Sequence, residues 1–241
     1  KIAIYTFDPD ANKTRDLVFE HPDVDVASLI SSKKRKVITG VVYTTDKSRY
    51  HFFDKDRKEL QDTLEKFFPG YEVAVTGMDD DERRATVRVY GDRTRGGSYL
   101  FDRQNNSLTK LADHSPWLKE TEMAPMEPIQ YTSRDGLTIH GYLTLPLGVA
   151  SRDLPLVVIP HGGPSARDEW GFDSEAQFLA NRGAAVLQVN FRGSTGYGKK
   201  FWTAGFKQWG RAMQDDVTDG VKWLVKRGVA DPKRLAIYGG S

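Results

Sequence analysis

Three short stretches of this sequence carry residue types that could do covalent chemistry. Leu235-Ala236-Ile237-Tyr238 is an apolar strand running into Gly239-Gly240-Ser241. A serine on a sharp turn after a strand, with glycines where a Cβ would strike neighbouring backbone, is the first half of a nucleophile elbow, G-x-S-x-G. Alone this is a weak signal, because Gly and Ser occur together in many turns. Pro160-His161-Gly162-Gly163-Pro164 follows a second apolar run, Leu154 to Ile159. Glycines there let backbone N–H groups approach a reacting carbonyl closely. Acyl transfer puts negative charge on that oxygen, and each fixed donor typically supplies ~10² to 10³ in rate. Pro164 has no N–H, so the donor is Gly162 or Gly163, and position favours Gly163. In the third stretch, Asn190-Phe191-Arg192-Gly193-Ser194-Thr195-Gly196-Tyr197-Gly198, Arg192 is placed to brace the elbow by donating to carbonyls near it.

These stretches act together only if a sheet presents them at one edge, and the second half of the chain reads as such a sheet. Ile129 to Thr132 and Leu137 to Leu145 flank Ser133-Arg134-Asp135-Gly136, a β-hairpin pattern with Asp-Gly at its turn. Strands and helices then alternate. Leu154 to Ile159, Ala184 to Val189 and Leu235 to Tyr238 are apolar runs suited to strands covered on both faces. Ser174 to Asn181 is a helix candidate, and Arg211 to Arg227 a long one. Met213, Val217, Val221, Leu224 and Val225 fall on one face of the long helix, and Gly228 caps it. Asp215 and Asp216 suit its positive N-terminal end and read as helix-start acids. Phe201, Trp202, Phe206 and Trp209 read mainly as core residues, with a substrate wall as the other reading. This alternation is that of a mostly parallel α/β sheet.

Residues 1 to about 117 read differently, as short strands with turns at Asp8 to Asn12, Asp79 to Asp81 and Asp92 to Gly97, and one helix, Lys58 to Phe68. Phe-Asp closes a strand at Phe7-Asp8, Phe53-Asp54 and Phe101-Asp102, at separations of 46 and 48 residues. Such spacing fits four-stranded propeller blades, which bury their faces by stacking on neighbours. Two or three blades do not close a ring, and the chain begins Lys1-Ile2-Ala3-Ile4-Tyr5 without Met. It is therefore expected to be cut from a longer polypeptide. Pro116 to Pro128, with three prolines, reads as the connection. The expected division is a partial β-propeller over 1–117, a linker over 118–128 and an α/β sheet domain over 129–241.

Composition excludes several classes. The 35 basic and 33 acidic residues are dispersed, so no nucleic-acid or anionic-membrane footprint appears; Lys33-Lys34-Arg35-Lys36 reads as a solvated turn. No apolar run approaches the ~18 residues of a spanning helix. Without cysteine there is no disulfide, thiolate-bound zinc or thiol nucleophile. His21, His51 and His114 lie beside turn signals with no second ligand at metal spacing, so they read as surface or packing residues. No metal or organic cofactor is expected.

The motifs at 160–164, 190–198 and 238–241, in that order and spacing, resemble the prolyl oligopeptidase family of serine peptidases. The His-Gly-Gly-Pro form is most similar to its acylaminoacyl-peptidase and bacterial dipeptidyl-peptidase-like branches. The resemblance implies a β-propeller that restricts access to short peptides, followed by an α/β-hydrolase domain that cleaves them through an acyl-enzyme. It implies Ser241 as nucleophile, Gly163 or Gly162 and the N–H after Ser241 as oxyanion donors, and His161, Arg192, Tyr197, Gly239 and Gly240 as supports. In this fold the triad runs Ser, Asp or Glu, His along the chain, which excludes His140 and His161 as the base. An isolated serine is a weak nucleophile, so the Asp and His are expected beyond Ser241 and the 241 residues alone are expected to be inactive. Prolyl oligopeptidase proper carries a tyrosine where His161 stands, so strict post-proline cleavage is not implied. A carboxylesterase and a non-catalytic propeller-hydrolase binding protein remain as rival readings. Cleavage specificity, homo-oligomerisation and compartment stay open.

Overall fold

The computed structural model describes residues 1–241 and separates two kinds of sheet. Up to Asp113 every sheet is antiparallel. β1 (Ile4–Asp8) pairs with β2 (Lys13–Phe19), while β3 (Val26–Ser32), β4 (Val37–Thr44) and β5 (Ser48–Phe52) form a three-stranded sheet. After α1 (Lys55–Phe67), four strands follow in sequential order: β6 (Glu72–Met78), β7 (Arg84–Tyr90), β8 (Gly97–Asp102) and β9 (Ser107–Asp113). The Phe-Asp pairs stand at or just past the ends of β1, β5 and β8. The expected helix starts three residues earlier than its apolar pattern, because the Asp54 carboxylate accepts the Arg57 N–H and caps it. Leu60 and Leu64 of α1 pack on Val73, Val87 and Phe101, so the helix covers the four-stranded sheet. The basic run at 33–36 is the β3–β4 turn, and Arg35 spends its charge on a bidentate pair with Asp54. His21 and His51 pack against Tyr43 and Phe19, and His114 bonds the Ser98 hydroxyl.

The second half builds one mixed sheet in the order β10-β11-β13-β12-β14. β10 (Met126–Thr132) and β11 (Thr138–Thr144) are the antiparallel hairpin. β12 (Leu154–Pro160), β13 (Ala185–Asn190) and β14 (Ala230–Ile237) are parallel to one another. Three helices accompany them: α2 (Ser174–Ala180), the short α3 (Gly198–Thr203) and α4 (Ala212–Lys226). Period-2 alternation sends Leu156, Val158, Leu187 and Val189 to one face, where Met213, Val217 and Leu224 of α4 meet them. Ile159 and Val186 face Ala176 of α2. Every residue of β13 is buried, as expected of a strand covered on both faces. Each such side chain contributes on the order of 1.5–3 kcal/mol on burial.

Because β12, β13 and β14 are parallel, all three chemistry-bearing stretches leave the same edge of the sheet. The loop after β12 carries 160–164, the loop after β13 carries 191–198, and β14 ends in Gly239-Gly240-Ser241.

Candidate active site

Ser241 follows β14 with φ of 75°, in the left-handed region that a non-glycine residue occupies only under constraint. That is the backbone expected of an elbow. Tyr238 N–H still donates to the Val158 carbonyl, so the parallel pairing runs almost to the serine before the chain turns. The turn is tight at its base: a Cβ on Gly239 would lie 3.1 Å from the Pro160 carbonyl oxygen. Gly162 meets the elbow from the other side, with 3.1 Å from its ideal Cβ position to Gly240 O and 3.4 Å to Ser241 Cβ. The β12 loop and the serine thus face each other with little room for a side chain between them. Ser241, Gly163, Pro164, His161, Met213 and Trp209 border a common cleft of about 480 Å³.

Gly163 has φ of 127°, and its N–H is bonded to no group of the protein. Its orientation is set by its neighbour. His161 Nδ1 lies 2.8 Å from the Gly162 carbonyl oxygen, and the planar trans peptide puts the Gly163 N–H on the side opposite that carbonyl. The His161 ring stacks on Phe191 at 4.4 Å, and its Nε2 lies 2.8 Å from Ser194 Oγ. Burial pushes the imidazole below its ordinary pKa and the Arg167 charge acts the same way, against the opposing pull of the Gly162 carbonyl. With both nitrogens committed, His161 is no base for Ser241. His140 stacks on Tyr197 at 4.8 Å and borders a different cavity from Ser241, so it is not placed to act as its base.

Arg192 does not donate to carbonyls beside the elbow, contrary to the sequence expectation. Its guanidinium makes two forked pairs: Nε and Nη2 donate to Asp216 at 2.8 and 2.7 Å, and Nη1 and Nη2 donate to Asp135 at 2.7 and 2.9 Å. A planar fork matches two carboxylates better than scattered carbonyls, and both carboxylates hold the guanidinium above its ordinary pKa. Asp216 is correspondingly not a solvent-facing helix-start acid. It is fully buried and also accepts the Ser133 hydroxyl and the Arg192 backbone N–H. Asp215 next to it pairs with Arg134 at the surface. The sequence signal was present, since Asp216 lies three residues after Met213 and four before Gly220, on the buried face of α4.

Among the aromatics, Phe201 is core, but Trp202, Phe206 and Trp209 are exposed. The Trp202 indole N–H donates to Ser165 Oγ, and Phe206 packs edge-on against Trp202. Tyr197 accepts from Asn190 Nδ2 at 2.8 Å and from Arg167 Nη2 at 3.0 Å. Arg167 also reaches the Thr45 carbonyl, and the Tyr142 hydroxyl donates to the Asp46 carbonyl, so the β12 loop and the hairpin both touch the β4–β5 turn of the antiparallel half. A cavity of about 580 Å³ lies between the two halves, bordered by Asp25, Thr44, Arg167, Glu169 and Trp202.

One half-buried acid in this loop takes no part in the chemistry above. Asp168 is pushed up to about 7 by desolvation, with Asp173 adding repulsion, and its Oδ2 has no partner. The unfolded carboxyl titrates near 4, so the native state retains a proton that the unfolded chain gives up between roughly pH 4 and 7. Stability therefore falls as pH rises through that window. Asp168→Asn, neutral at every pH, should gain on the parent by up to about 4 kcal/mol between pH 4 and pH 8, the upper bound set by a shift from near 4 to about 7. Urea midpoints at the two pH values check this.

The prolyl oligopeptidase family model matches residues 170–241. Dipeptidyl aminopeptidase BIII of Pseudoxanthomonas mexicana is 37% identical over 99% of this chain and 35% of its own length. Dipeptidyl peptidase family member 6 of Caenorhabditis elegans is 37% identical over 93% of this chain and 35% of its own. The chain thus spans about a third of the length of these curated relatives. Among solved structures, a puromycin hydrolase superposes with a TM-score of 0.74 at 22% identity, over 99% of this chain and 37% of that one. The likeness covers both kinds of sheet, blades of a β-propeller and the α/β-hydrolase sheet that follows them.

Proposed function

The chain belongs to the prolyl oligopeptidase family of peptidases, and from that premise we propose that it carries the nucleophile and half of the oxyanion site of a serine peptidase acting on short peptides. Ser241 Oγ attacks the scissile carbonyl to give an acyl-enzyme. The Gly163 N–H receives the charge that develops on the carbonyl oxygen, with the Gly162 peptide on the elbow side and His161 fixing the peptide plane. In the complete protein a downstream Asp and His supply the base. His161, Tyr197 and Arg192 support the loops that carry these groups, and Gly239 and Gly240 let the elbow close on β12.

The observation that carries the reading is the meeting of two elements 79 residues apart in sequence: a left-handed serine after a parallel strand, in contact with a glycine loop whose next amide is unengaged. Fixed donors of this kind raise acyl-transfer rates because they stabilise the transition state more than the ground state. A peptide is favoured over a small ester because the relatives that match almost the whole of this chain, antiparallel half included, are named as dipeptidyl peptidases. Division of the chain at residues 117 and 128 into propeller, connection and catalytic part belongs to the same proposal.

The test is a matched pair of substrates with one acyl group, a dipeptidyl amide and the corresponding ester, assayed on the complete protein. Both should be turned over, with the same acyl-enzyme mass appearing from each. Ester hydrolysis without amide cleavage would overturn the peptidase reading and leave an acyl hydrolase.

A further inference from the structure

The loop after β12, residues 161–173, carries Gly163 and leads to α2, yet it holds neither helix nor strand. Its main-chain bonds are few: Ala166 N–H donates to the Pro164 carbonyl, and the Ala166 carbonyl accepts from Thr195 N–H. A peptide group without a main-chain neighbour needs another partner. At Asp168 that partner is Asn190, the last residue of β13, which is 0% exposed. Asn190 Oδ1 accepts the Asp168 N–H at 2.7 Å, and Nδ2 donates to the Asp168 carbonyl at 3.0 Å. One side-chain amide thus pairs with both main-chain polar groups of one residue, as a neighbouring strand would.

The peptide dictates which way the amide faces. Turned over, Nδ2 would meet an N–H and Oδ1 a carbonyl oxygen, and both attractions would become repulsions. The second Nδ2 hydrogen goes to the Tyr197 hydroxyl oxygen at 2.8 Å. That oxygen also accepts from Arg167 Nη2, whose other hydrogen goes to the Thr45 carbonyl. Every hydrogen of the Asn190 amide is therefore committed, each to an acceptor of its own.

We propose that Asn190 is a positioning residue for acyl transfer: its amide pins the loop after β12 at Asp168 and so holds the Gly163 N–H in place beside the serine elbow. This rests on Gly163 being an oxyanion donor. Gly163 lies between two pins on one strand. Pro160 pairs with Val189 at the end of the parallel ladder, and Asn190, the next residue of β13, holds Asp168. No group of the protein bonds the Gly163 N–H, so its place is set by the chain on either side. Without the Asn190 amide, the Asp168 N–H loses its acceptor and the Asp168 carbonyl keeps only the longer bond from Arg167 Nε at 3.3 Å. The segment from 161 to 168 is then free to shift. A misplacement of about 1 Å at a reacting group costs on the order of 10² in rate.

The test uses the complete protein with Asn190→Ala and Asn190→Asp. The first removes the whole pin, and the second keeps its shape and the acceptor for the Asp168 N–H but, once ionised, has no hydrogen for the carbonyl. Asn190→Ala should lower kcat per folded molecule for the peptide amide by about 10- to 100-fold, with KM within about twofold of the parent. Affinity for a peptide boronate, whose tetrahedral adduct needs the Gly163 donor, should fall by a similar factor, and affinity for the product peptide should stay parental. A role in stability alone would lower the urea midpoint and leave kcat per folded molecule parental, and that result would overturn the assignment. A loss confined to KM, or a lowered kcat with parental boronate affinity, would overturn it as well. If Asn190→Ala does not fold, Asn190→Asp decides: a parental kcat overturns the proposal, and a lowered kcat with parental KM and weakened boronate binding supports it. Ser241→Ala is assayed beside them, and full turnover there would instead sink the acyl-enzyme reading beneath the proposal.

Discussion

Ser241→Ala in the complete protein should lower kcat by at least about 10⁴-fold, with the adduct of a fluorophosphonate probe lost altogether. The expectation rests on the backbone. The serine stands at φ of 75° after a parallel strand, is exposed, and borders the cleft that Gly163 also borders. Removing Oγ removes the atom that forms the covalent bond but leaves the oxyanion loop and the cleft in place. Residual rate from those parts is typically ~10³ to 10⁴ over water, so the variant should be slow and not inert. KM for the amide and the affinity for a product peptide should stay near the parental values. A variant that keeps a parental kcat would take Ser241 out of the covalent step.

The second large effect is on stability. Asp216→Ala should destabilise the fold by about 3–5 kcal/mol, because it leaves the Arg192 guanidinium uncompensated in the interior. Arg192 is 9% exposed at its side chain and Asp216 is 0% exposed, so neither can turn to water without moving α4 or the hairpin. Asp135 remains to Arg192, but its side chain is half exposed and matches only one edge of the fork. The adjacent acid is the control. Asp215→Ala removes an ion pair whose partners are 46% and 40% exposed, and it should leave the urea midpoint unchanged. Equal, small shifts for the two variants would show that the buried fork does not hold the loop after β13 to α4.

Which parts of this could be read from sequence follows from the range of the interaction that sets each one. β12 and β13 were legible because burial on both faces writes a continuous apolar run into the strand itself, and α4 because its apolar positions repeat at helical spacing. β3 and β9 were not read. Val-Ala-Ser-Leu-Ile-Ser-Ser and Ser-Leu-Thr-Lys-Leu-Ala-Asp bury little, and pairing with a neighbouring strand makes them extended. α3, six residues after a run of glycines, offers no repeat to detect. The three chemical stretches were found as motifs, and their parallel strands bring them to one edge. The bonds between them were not visible: His161 meets Ser194 across 33 residues, and Arg192 meets Asp216 across 24 and Asp135 across 57. An arginine beside a glycine loop could serve carbonyls or carboxylates, and only the packing of α4 and the hairpin decides between them.

The contact between the Gly162 backbone and the elbow also bears on how far selection can reshape this protein. A Cβ at 162 would press on Gly240 O and Ser241 Cβ, one at 239 on the Pro160 carbonyl, and one at 163 would lie 2.7 Å from Ser165 N while holding φ at 127°. Position 163 is therefore closed on steric and backbone grounds, and positions 162 and 239 take a side chain only if the facing backbone yields by a few tenths of an ångström. A mutational library aimed at the chemistry would return parental glycine at 163 and few replacements at 162 and 239. Preference for a new substrate has to be acquired from farther out, at exposed sites such as Ser165, Trp202, Phe206 and Trp209, where a changed side chain displaces water and not the catalytic backbone.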